Sequence, residues 1–125
     1  MTNRAFLKNL NERPFNAIEC GQKTIDIRAN KNNSSENSIN LINEGDIIIF
    51  KKIGSDDKIK CTVERKTLYK SIRELLKKEG TKHSLSSNHK NIKEKIKSVE
   101  SIADYKEIIA KNGVFAIKLK EVQRI

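Results

Sequence analysis

Apolar residues in this chain come in short runs separated by polar turns, and the spacing within each run predicts an element. Ala5–Leu10 reads as a first strand with Phe6, Lys8 and Leu10 on one face. Asn11, Glu12 and Arg13 turn into a helix in which Pro14 takes the first helical position, where its missing N–H costs nothing. Phe15 and Ile18, three apart, share one side of that helix, and Gly21 follows as a left-handed cap. Lys23–Arg28 is then a strand. Ile25 and Ile27 take one face of it; Thr24, Asp26 and Arg28 take the other.

Residues 29–43 are polar and without periodicity, which predicts a long loop. At the turn that ends it, Gly45 supplies a positive φ and Asp46 bonds backbone amides. Ile47–Phe50 is a β-branched and aromatic strand, Gly54–Asp57 a turn, and Ile59–Leu68 a returning strand whose imperfect alternation predicts a bulge. Ser71 and Glu74 form a capping box for a helix that Gly80 ends. After a polar loop over 82–88 come a lysine-rich helix over Asn88–Ser98, with a stripe through Ile92, Ile96 and Val99, and a helix over Ile102–Lys111 that buries Ile108 and Ile109. Asn112-Gly113 stops it, and Val114–Val122 closes the chain as a strand. The fold class is α+β: one domain over residues 1–125, a small mixed β-barrel of five or six strands decorated by short helices, three of them late in the chain. The helices fall late, before the last strand, instead of alternating with strands as a parallel sheet requires.

Composition narrows the function classes. No apolar run approaches the ~20 residues of a membrane-spanning helix, and the first residues lack a signal peptide's apolar core. No membrane partner is expected, and the cytoplasm is the expected location. Cys20 and Cys61 are too few and too far apart for a disulfide framework, and with only His83 and His89 beside them no metal-ligand spacing forms. Neither a metal nor a cofactor is implied.

Charge changes the picture more. The chain carries 26 basic and 16 acidic side chains, and residues 51–100 hold 15 of the basic against 7 of the acidic. A surplus gathered in one region points toward a polyanion such as RNA, although abundant Lys, Ile and Asn also fit an AT-rich genome. Arg65, Lys66, Tyr69 and Lys70, at the end of a strand, offer cations for phosphates and an aromatic face for stacking; the alternative is a solvated strand end with Tyr69 in the core. Lys23, Thr24, Asp26 and Arg28 offer a hydroxyl, a carboxylate, a guanidinium and an ammonium in one stretch. They suit an anionic or polar ligand, or else form a half-exposed strand face whose charges pair with each other.

Four segments in order resemble the ASCH domain (activating signal cointegrator homology). They are Gly21-Gln-Lys23-Thr24-Ile-Asp26-Ile-Arg28, Gly45-Asp46-Ile-Ile-Ile-Phe50, Tyr69-Lys-Ser-Ile-Arg-Glu-Leu-Leu76, and Tyr105 before Asn112-Gly113-Val-Phe-Ala-Ile117. The resemblance covers nearly the whole chain. It implies a PUA-like barrel, a fold whose relatives bind RNA and modified bases, with a cleft that would include Lys23, Thr24, Asp26 and Arg28. Some small relatives deacylate modified cytidine. Their lysine falls on Lys23, and a later glutamate falls near Glu79, with Glu74 the alternative. Asp26 stands where they carry a threonine nucleophile, and a carboxylate cannot take a hydroxyl's part in that acyl transfer. Two functions are therefore expected: a module binding RNA or a nucleotide, or a small hydrolase acting on a modified nucleoside or on RNA, using Lys23 with Asp26 or Glu79.

Overall fold

The computed structural model describes residues 4–31, 39–80, 92–102 and 104–125. In chain order the elements are β1 (Ala5–Leu10), α1 (Glu12–Glu19), β2 (Ile25–Ala29), a 3-10 turn (Ile39–Leu41), β3 (Ile47–Lys52), β4 (Lys58–Tyr69), α2 (Ile72–Glu79), α3 (Ile92–Glu100), α4 (Tyr105–Asn112) and β5 (Val114–Arg124). The five strands form one sheet in the order β1-β3-β4-β5-β2, curled into a half-barrel. β1 runs parallel to β3; the other pairings are antiparallel. The expected α+β class and the late cluster of helices both hold, and each of the four α-helices among the described residues answers to one read from the sequence.

Local chemistry explains most element ends. Ser71 Oγ accepts from the Glu74 amide at 3.1 Å, the expected cap, and Gly80 leaves α2 at φ +84°. Gly45 has φ +90°, and Asp46 accepts from the Arg4 amide at 3.1 Å and the Asn43 amide at 2.8 Å, so this buried carboxylate ties a turn to β1. Pro14 is the third residue of α1, not the first. The substitution is tolerated because no amide in the first three positions has an acceptor within the helix. β2 starts at Ile25, later than Lys23, while β3 and β5 run two residues further than expected. Val99 and Ile109 are buried, Ile96 and Ile108 half-buried, and Ile102 is exposed. The polar loop expected over 82–88, with His83, and His89 after it lie outside the described residues.

Two cores flank the sheet. The inner one gathers Phe6, Leu10, Phe15, Ile18, Ile48, Phe50, Ile59, Cys61, Val63, Phe115, Ile117 and Leu119, with α1 filling the half-barrel. The outer one packs α2, α3 and α4 over Ile25, Ile27, Ala29, Val114 and Ala116. β4 changes faces midway. Cys61 and Val63 point inward, but the expected bulge, between Val63 and Arg65, shifts the register so that Arg65 points outward and Lys66 inward beside Ile117.

Candidate functional site

β1 and β2 are the two ends of the sheet, and between them lies a cavity of about 280 Å³. Asn9 and Leu10 of β1, Asn11 and Pro14 at the start of α1, and Val99 and Tyr105 from the helical layer form its walls. Lys23, Asp26, Ile27 and Arg28 supply the rest. The seam between the two sheet edges is where inner and outer cores meet.

The charged residues are not on a solvated face. Asp26 pairs with Ile117 across the sheet and therefore points inward, leaving it 4% exposed; Lys23 is 7% exposed. Asp26 accepts from Arg28 Nε at 2.7 Å. The negative field of Asp26's carboxylate, together with this contact, raises the Arg28 pKa against the opposing effect of burial. The Arg28 side chain is about a quarter exposed, yet its Nη2 is buried and, among the described residues, has no hydrogen-bond partner. Burial pushes the Lys23 ammonium down from 10.5 to about 8, opposed by Asp26 and assisted by Arg28. The Tyr105 phenol is raised, mainly by burial.

The main chain adds a recognition edge. Thr24 accepts from the Leu119 amide at 2.9 Å and the Asn30 amide donates to Gly113 at 3.0 Å, so even-numbered residues of β2 bond to β5. The alternation of an antiparallel ladder then turns the peptide groups of Ile25 and Ile27 toward the free edge. Ile27 packs its side chain in the outer core and still lines the cavity. Thr24 is not part of the cavity wall.

Sequence reasoning put Lys8 on one face of the first strand with Phe6 and Leu10 but gave it no site role, and it did not assign Tyr105 to the cavity. Lys8 sits between the buried Phe6 and Leu10 on the inner face of β1, and its pKa is lowered by burial and by Arg28 and Lys31. A lysine in register with two core residues was the available signal.

The remaining expected site residues are not brought together. Glu79, 2% exposed in its side chain, accepts from both Arg65 Nη1 at 2.6 Å and Nη2, and from the Tyr69 hydroxyl at 2.6 Å. These bonds lie on the outer face of β4, whereas Asp26 faces the inner core, so Glu79 is no partner for Lys23. Arg65, whose field and hydrogen bonds also hold Glu79's pKa down, and Tyr69, pushed up to about 12 mainly by burial, are thereby committed. Lys66 lies on the opposite face, donating to the carbonyls of Ile39 at 3.1 Å and Asn40 at 3.3 Å. Lys70 is exposed. Arg65, Lys66, Tyr69 and Lys70 therefore form no single binding surface. Among the described residues no group of three His, Cys, Asp or Glu could hold a metal, and no helix is long and apolar enough to cross a membrane.

The fold and site define a small mixed β half-barrel whose unclosed seam holds a charged cavity. No protein-family model and no curated protein matches the chain. It is 30% identical to hypothetical protein PH0355, whose crystal structure superposes with a TM-score of 0.74 over 97% of this chain and 99% of that one. The chain belongs to the same family as that protein. The solution NMR structure of protein PF0455 from Pyrococcus furiosus is similar at 28% identity, with a TM-score of 0.68 over 93% of this chain and 96% of that one.

Proposed function

We propose that this chain is an ASCH-type, PUA-like module that binds RNA or a nucleotide, in a cytoplasmic setting, through the cavity between β1 and β2. The observation that carries this reading is the buried Arg28 Nη2 without an acceptor, beside Lys23 and Asp26 in the cavity wall. A buried donor left unpaired costs about 1–3 kcal/mol. A ligand that brings an acceptor relieves that cost, and the free-edge peptide of Ile27 and the ring of Tyr105 suit a planar group with a hydrogen-bonding edge. A cavity of about 280 Å³ is near the small end of ligand sites, the size for one base or sugar and not for a folded partner.

Titration of a short labelled single-stranded RNA at two salt concentrations tests this. Binding is expected to weaken with salt and to be lost in Lys23→Ala/Arg28→Ala. Salt-sensitive binding that survives the double substitution would move the site elsewhere.

One observation supports a hydrolase instead: Lys23, held at about 8 beside Asp26, is poised to exchange a proton near neutral pH. Glu79 does not contribute to it. Release of acyl group from an acylated nucleoside, abolished by Lys23→Met, would establish hydrolysis; wild-type protein inert toward such substrates would exclude it for them.

A further inference from the structure

Cations gather around the seam. Lys23 and Arg28 line the cavity, Lys8 lies on the neighbouring inner face of β1, and Lys31, just beyond β2, holds its ammonium 6.0 Å from the Tyr105 ring centroid. Among the described residues, the carboxylate in the cavity wall is Asp26. Elsewhere, among the described residues, buried carboxylates are matched: Glu79 is held by Arg65 and Tyr69, and Asp46 by two amides. At the seam, Arg28 spends its Nε on Asp26 and retains a buried Nη2 without an acceptor.

We infer that the mouth of the seam, bounded by Lys8, Arg28 and Lys31, is a phosphate site, so that the ligand is a phosphorylated nucleotide and not a bare nucleoside. This rests on the reading of the cavity as a base or nucleoside pocket. The phosphate is carried either as a nucleotide monoester or as the diester linkage of RNA.

Three arguments converge on it. A phosphate presents several acceptor oxygens and a negative charge, which supply what Nη2 lacks and offset the surplus of cations. Lys8 is driven toward its neutral form by burial, Arg28 and Lys31 together, against Asp26 alone. An anion in their midst reverses that balance. Finally, Lys31 is exposed while Arg28 is mostly covered. The cations thus run from solvent inward, as a site must when its ligand enters base first and leaves a charged group at the entrance.

The test is calorimetric titration of the wild-type protein with five kinds of probe. These are the four common ribonucleosides, their 5′- and 3′-monophosphates, dinucleoside monophosphates with one internal diester, and inorganic phosphate. Some monophosphate or dinucleotide is expected to bind at least about tenfold more tightly than its own nucleoside, the scale of one well-made charge-assisted contact. Preference between the two identifies monoester or diester. Lys31→Ala, at an exposed position, and Lys8→Ala/Lys31→Ala should remove most of that advantage while leaving nucleoside affinity unchanged. Nucleosides binding as tightly as their nucleotides would overturn the phosphate site and leave the base pocket standing. Phosphate and every nucleotide binding alike, with no nucleoside binding, would uphold the phosphate site and refute the base pocket. No binding by any probe would overturn both.

Discussion

Replacing Lys23 by Met should make the protein more stable and inactive together. Lys23 is 7% exposed, and burial lowers its pKa from 10.5 to about 8. Each tenfold change in proton affinity corresponds to about 1.4 kcal/mol, so keeping this ammonium charged costs the folded state on the order of 3 kcal/mol at pH 7. The sign follows from proton counts. Below about pH 8 both states hold the proton and the cost is complete. Between there and 10.5 the unfolded chain keeps the proton that the folded one releases, so the wild type gains stability as pH rises. Above 10.5 the cost is gone. Methionine has similar length and no charge, and it leaves the Asp26–Arg28 pair intact. Some of the gain is offset by contacts that the ammonium makes, so a net stabilisation of about 1–3 kcal/mol is expected at pH 7. For a chain of this size that is a rise of about 3–10 °C in Tm. Urea unfolding of both proteins at pH 7, 8.5 and 10 isolates the effect, because every other titrating group is common to the two. A Met variant less stable than wild type at pH 7, or a difference unchanged from pH 7 to 10, would refute the argument.

Three further outcomes are expected. Glu79→Gln should cost about 1.5–3 kcal/mol at pH 7 by weakening charge-assisted bonds, without changing affinity at the seam. Glu79's pKa is lowered on folding, chiefly by Arg65, so its contribution is complete above the unfolded value and lost as pH falls through the folded one. Acid titrations of wild type and Glu79→Gln should therefore converge as pH falls through the folded value. Gly113→Ala would place a methyl 2.7 Å from the Tyr69 carbonyl oxygen at φ +88°, whereas Gly54, at φ +83°, has nothing within 4 Å of that position. Thermal melts should show a loss on the order of 3 kcal/mol for the first and about 1 kcal/mol for the second. In a thiol assay on native protein, exposed Cys20 should react, while Cys61, fully buried and pushed up to about 12, should react only after denaturation.

What was legible in the sequence was what neighbours decide. The Ser71 cap, the Gly45-Asp46 turn and the β4 bulge each depend on a few adjacent residues, and each formed. The seam depends on distance. Strand β2 alternates as read, but periodicity cannot tell a solvated polar face from one covered by α1 and bordered by α3 and α4, elements up to 80 residues away. Arg65 and Lys66 are a different case. Adjacent strand residues point to opposite faces, so grouping them as one patch conflicted with the period of two. The bulge decided which of them went inward, since without it Arg65 would have followed Cys61 and Val63 into the inner core. Glu79 was placed near Lys23 by motif order alone, and order along a chain carries no information about which side of a sheet a helix packs on.

The protein's buried charges fall into two groups. A carboxylate or guanidinium that serves only the fold is satisfied by the fold, because each missing bond subtracts from a stability of about 5–15 kcal/mol in total. Asp46 and Glu79 obey this rule. Both accept bonds at two oxygens, from backbone amides or from neighbouring side chains, and both tie elements together. Arg28 breaks it at Nη2, and Lys23 is held charged against its solvation cost in the wall of the same cavity. Two departures at separate sites could be accidents of packing. Both lie at one cavity, in the seam between β1 and β2, and that coincidence is what makes the seam the place to test for a ligand.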